Sequence, residues 1–138
     1  MKKTSAKPTG EPADYCRDFN DWPEQWRIVD ADLKTGRDLL ATFTLFVRFL
    51  MDQGFAKKTI TNHIHHLNLL GAEIVRCLND GDEAHRKLPG SALILKYVDE
   101  ETGPLLSFWD PNDNTERAYH MAFDATCRKL YRFIAPTF

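Results

Sequence analysis

The residues best suited to chemistry cluster between Lys57 and His66. Lys57, Lys58, Thr59, Thr61, Asn62, His65 and His66 gather at the start of a helical pattern. Free backbone N–H groups and the helix dipole favour an anion at such a start. Lys and Thr can hold phosphates, and Asn and His can reach base edges. An ordinary solvated helix start has the same composition, so that reading stays open beside the functional one. His63 and His66 lie three apart and could face one ligand. A zinc site needs three or four converging ligands held by outer hydrogen bonds. No Cys/His pair elsewhere completes such a spacing. The expectation is therefore no metal and no cofactor, with one of these histidines at the margin of the core.

Familiar catalytic patterns are missing. There is no glycine-rich phosphate loop, no Gly-x-Ser-x-Gly and no His-Glu-x-x-His. The expectation is a non-enzyme. Net charge is −2, but its distribution is uneven. Residues 31–79 carry six Lys/Arg against four Asp/Glu, and residues 119–138 carry three against one. Residues 80–118 carry four against nine. The best helical segments are thus basic and their connection acidic. A basic face with a weak, salt-sensitive field is compatible with this pattern.

These side chains need elements to position them. In Asp38–Asn79, Leu39, Phe43, Phe46 and Leu50 recur at helical spacing, with Leu40 and Val47 widening the stripe. Ile60, Ile64, Leu67, Gly71, Ile74 and Leu78 form a second stripe. Gly54 suits the left-handed position that ends a helix. The short break predicts a helical hairpin. The first helix is expected from Asp30 or Asp32 to Gln53, and the second from Lys57 to Asn79. Upstream, residues 1–14 read as a flexible tail. Asp21 and Glu24 have capping-box spacing before a short helix, in which Trp22 and Trp26 share a face. That pair is either a lid on the core or a platform for bases or a partner.

Glu83–Leu88 reads as a helical turn. Ser91–Val98 is either a short helix capped by Ser91 or a strand paired with 104–109, the hairpin lying between residues 92 and 109. Asp113 and Glu116 cap a last helix with the stripe Tyr119, Phe123, Cys127, Leu130 and Ile134. On another face, Glu116, His120, Asp124 and Arg128 recur every four residues. Aromatic content of 12% and a hydrophobic fraction of 43% argue against disorder. No apolar run is long enough for a bilayer, and Met1–Gly10 lacks a secretory apolar core. With three scattered cysteines, this favours reduced thiols and a cytoplasmic location.

The hairpin resembles a known family. Phe46-Val-Arg-Phe-Leu50, then Gly54, then Ala56-Lys-Lys-Thr-Ile60, then Leu67 and Leu70, is similar to the N-terminal core-binding domain of tyrosine recombinases, the phage integrases. That domain is a SAM-like helical bundle that clamps DNA opposite a catalytic domain. The usual helix-capping Ser is Ala56 here. The chain ends at Phe138, so no catalytic domain is expected, and Tyr131 is not its nucleophile. The resemblance implies a mainly α, SAM-like bundle of four or five helices over residues 15–138. It also implies non-catalytic binding of double-stranded DNA. Contacts would come from Lys57, Lys58, Thr59, Thr61, Asn62 and His66 on the second helix, and from Arg128, Lys129 and Arg132 on the last. The expected core is Phe43, Phe46, Val47, Leu50, Ile60, Ile64, Leu67, Ile74, Leu78, Phe123, Leu130 and Ile134. The alternative is a protein-interaction or oligomerising module. It would work through the acidic connection and the Trp22/Trp26 face, with no nucleic acid and no membrane.

Overall fold

The apolar stripes build the molecule as a small bundle of five α-helices, seen in a computed structural model that describes residues 10–106, 110 and 112–137. They are α1 (Trp22–Trp26), α2 (Asp32–Asp52), α3 (Lys57–Leu78), α4 (Gly90–Ile94) and α5 (Asn114–Ile134). All twelve expected core residues are buried. No strand occurs among the described residues.

α2 and α3 form the expected hairpin, and the backbone of the turn explains why. Gly54 adopts φ +80°, which costs glycine no Cβ clash. Its N–H bonds to the Met51 carbonyl at 3.0 Å, and the Phe55 N–H bonds to the Leu50 carbonyl at 3.3 Å. These two bonds are the Schellman closure, and they satisfy carbonyls that the end of α2 would otherwise orphan. α3 then starts without a side-chain cap, because Ala56 offers no oxygen.

α1 covers the hairpin as a lid. Trp22 and Trp26 are buried, and Trp26 Nε1 donates to Asn68 Oδ1 at 2.9 Å. Phe19, Trp22, Trp26 and Phe43 form a chain of ring contacts with centroids 4.5–6.1 Å apart. Asp21, expected to cap α1, makes no side-chain cap bond. The expected tail also ends earlier than Asp14. Pro12–Asp14 is a 3-10 turn with Pro12 buried, and Glu11 is ion-paired to Arg48 of α2. Residues 1–9 lie outside the described residues.

Between α3 and α5 the helical alternative holds, with a shifted start. Glu83–Lys87 is a 3-10 turn. α4 begins at Gly90 behind Pro89, not at a Ser91 cap. Ser91 Oγ instead lies 3.2 Å from Thr42 Oγ1, joining α4 to α2. Where the hairpin turn was placed, Asp99 Oδ1 accepts from the Glu101 and Thr102 N–H groups at 2.8 Å. Residues 107–109 of the alternative strand lie outside the described residues.

α5 is capped as expected. Asp113 Oδ1 accepts from Thr115 N–H at 2.8 Å and Glu116 N–H at 3.1 Å. Two details depart from the periodic pattern. Tyr119, placed in the apolar stripe, is 42% exposed. Three residues of the polar row also hold the preceding loop. Asp124 Oδ1 accepts from Gly103 N–H at 3.1 Å, His120 Nε2 from Leu106 N–H at 3.2 Å, and Arg128 donates to the Glu101 carbonyl at 3.0 Å. No helix among the described residues is long and apolar enough to cross a membrane.

Candidate functional site

The hairpin turn brings three helix ends together: the end of α2, the start of α3 and the second half of α5. Lys57, Lys58, Asn62 and His65 are exposed on α3. Thr59 and Thr61 are half-buried, and Thr61 Oγ1 donates to the Lys57 carbonyl at 2.9 Å. Lys57 Nζ lies 5.9 Å from the centre of the Tyr15 ring. From α5, Lys129 Nζ lies 5.0 Å from the centre of the Phe55 ring, two residues before α3. Both are cation–π distances. Arg132, exposed one turn along, shares with Lys129 a cleft of about 240 Å³ lined also by Phe49, Gln53, Phe55 and Phe133. Among the described residues, none of Lys57, Lys58, Lys129 and Arg132 forms an ion pair, whereas Arg48 nearby is neutralised by Glu11. With the uncapped N–H groups of α3, these four cations make one end of the bundle an anion-attracting surface.

Two expected contacts lie elsewhere. Arg128 is directed to the Glu101 carbonyl, on a different side of α5 from Lys129. His66 is only 7% exposed, so it faces the core and not solvent. Its Nδ1 lies 2.6 Å from Thr126 Oγ1, and His63 Nδ1 lies 2.7 Å from the same hydroxyl. Burial, then the neighbouring His63 and His65, push His66 down to about 4. Burial, then Lys129, lower His63. The pair therefore ties α3 to α5 and is not a positively charged surface. Among the described residues no group of three His, Cys, Asp or Glu converges as a metal site.

Other reactive types are also committed to structure. His120 and Asp124 lie 3.2 Å apart, the geometry of a catalytic pair, but His120 Nε2 already accepts the Leu106 N–H. Burial raises all three thiols, Cys16 to about 11 with help from Asp18, so none is a thiolate at neutral pH.

Sequence reasoning missed a polar knot at the far end of the hairpin. Asp32 is fully buried. Its Oδ2 accepts from Ile28 and Val29 N–H and from Asn79 Nδ2 at 2.9–3.0 Å, and its Oδ1 accepts from Arg86 Nε at 3.1 Å. Arg86 Nη2 closes the ring on Asn79 Oδ1 at 2.7 Å. It also missed the aromatic cleft. Phe49, Phe55 and Phe133 lie outside the three apolar stripes and look unremarkable one by one. No protein-family model, curated protein or solved structure matches this chain.

Proposed function

We propose that this protein is a non-catalytic DNA-binding module that holds the phosphate backbone with the start of α3 and the second half of α5. The reading follows the likeness of the hairpin to recombinase core-binding domains. The observation that carries it is the set of Lys57, Lys58, Lys129 and Arg132, drawn to one end of the bundle without carboxylate partners among the described residues. Cations left unpaired beside free helix N–H groups suit a polyanion. Asn62 and His65 stand exposed on the next turn, where base edges would be reached. Thr59 and Thr61 border the same turn.

The test is binding of purified protein to labelled duplex DNA at low and near-physiological salt. Binding that weakens with salt and is lost in Lys57→Glu/Lys58→Glu, with the fold intact by circular dichroism, supports the reading. Absence of binding at low salt defeats it.

A second reading, a protein-interaction or oligomerising module, draws on a different observation. Leu105 and Met121 are 66% and 67% exposed, and they line a shallow cleft together with Gly103 and His120. The buried Trp22 and Trp26 are not available for this role. Light scattering that reports an oligomer, dissociated by Met121→Glu, would favour it.

A further inference from the structure

The cleft beside the four cations has a lining that phosphate binding alone does not require. Phe49 and Phe133 have ring centroids 5.1 Å apart at 38°, and Phe55 forms part of the same wall. All three rings are half-buried, so faces or edges remain open to the cleft. Gln53 supplies an exposed amide, and Lys129 and Arg132 supply charge. At about 240 Å³ the space is smaller than the roughly 300–1,000 Å³ of drug-sized pockets, and it suits a single ring system. Aromatic faces interleaved with cations are how proteins hold unpaired bases, because every base has a π-face and every flanking phosphate a charge.

We propose that this cleft receives one unpaired nucleobase from a single-stranded end or overhang of the bound DNA, stacked on Phe55 and read by Gln53, with Lys129 and Arg132 on the flanking phosphates. The inference rests on the DNA-binding reading and narrows its substrate to duplex with an unpaired end. Lys129 Nζ now covers the Phe55 face at 5.0 Å. A base would take that face, and the flexible lysine stem would carry the ammonium to a phosphate. Gln53 matches the paired donor and acceptor of an adenine edge.

Three probes at one low salt concentration test this: a blunt duplex, the same duplex with a short adenine overhang, and the same duplex with an abasic overhang of equal charge. The adenine overhang is expected to bind about tenfold more tightly than the abasic one, within the range of one aromatic–base stack. Phe55→Leu, with the fold intact by circular dichroism, should bring the two overhangs to equal affinity. As a check independent of any variant, 2-aminopurine in the overhang should be quenched on binding the wild-type protein. Equal affinity for the two overhangs, or an unquenched 2-aminopurine, overturns the cleft assignment while leaving duplex binding in place. Tighter binding of an acidic peptide with a terminal phenylalanine than of the adenine overhang also overturns it, in favour of a protein ligand. Failure of all three DNA probes to bind is the separate outcome that defeats the DNA-binding reading itself.

Discussion

Trp26 rests against the bare Cα of Gly71 so closely that a Cβ there would fall inside its six-membered ring contacts. The lid and the hairpin therefore meet at a position that admits no side chain. Gly71→Ala gains about 1 kcal/mol of helix propensity but forces the indole to move. The net expectation is a loss of about 1–3 kcal/mol, typical of overpacking. Urea unfolding followed by tryptophan fluorescence reads both the loss and the displaced ring.

Asp32 predicts a larger effect. Burial pushes its carboxyl up, but the N–H groups of Val29 and Ile28, Asn79 and Arg86 outweigh that and hold it below the usual range. A depressed carboxylate contributes stability above its unfolded pKa, about 3.9. That contribution is lost as pH falls through the lower, folded value. Asp32→Ala should cost about 3–5 kcal/mol, because it strands Arg86, Asn79 and two backbone donors. Denaturation midpoints at neutral pH measure it.

His66 loses stability on acidification in the same sense as Asp32, but in a higher pH window. Its folded pKa, near 4, lies below the unfolded 6.5, so the unfolded chain binds the proton first. Stability should be flat above pH 6.5 and fall by about 3 kcal/mol between pH 6.5 and 4. His66→Asn, which keeps a polar atom near the Nδ1 position, should flatten that slope. Urea midpoints of both proteins at pH 7.5 and 4.5 make the comparison.

The four cations set a salt dependence. If each neutralises one phosphate, the slope of log K against log salt is about −3 to −4. Lys129→Gln/Arg132→Gln should reduce its magnitude by about 2 and weaken all duplex sequences alike. Anisotropy titrations over a salt series check both numbers.

The fold was legible where neighbours in sequence decide the outcome. The stripes of α2, α3 and α5 located the buried face, Gly54 located the turn, and Asp113 located a cap. What escaped depends on partners far along the chain. Asp32 reads as an ordinary helix start until Asn79 and Arg86 arrive, 47 and 54 residues later. His66 reads as one of a polar cluster until Thr126, 60 residues away, draws it inward. Three members of the polar row of α5, His120, Asp124 and Arg128, bond to backbone groups of residues 101–106, which no side-chain pattern announces. Of the candidate contacts, exposure kept Lys57, Lys58, Asn62 and Arg132 available, and half-buried Lys129 joined them across Phe55. Only the folded α5 shows that Arg128 does not follow.

The Thr126 hydroxyl stands within hydrogen-bond reach of both imidazoles and, at 3.4 Å, of the Ala122 carbonyl. It owns one hydrogen. At most one of the two neutral rings can therefore present a bare Nδ1 to it, and the other must carry its hydrogen there. His63 and His66 cannot select their tautomers separately. Exchanging their roles takes a rotation of the hydroxyl together with a change of tautomer in both rings, while every heavy atom stays in place. The seam between α3 and α5 thus admits more than one proton arrangement on one set of heavy-atom positions, and a proton reaching the outer ring fixes His63 as a donor to Thr126 and leaves the hydroxyl hydrogen for His66 or the Ala122 carbonyl.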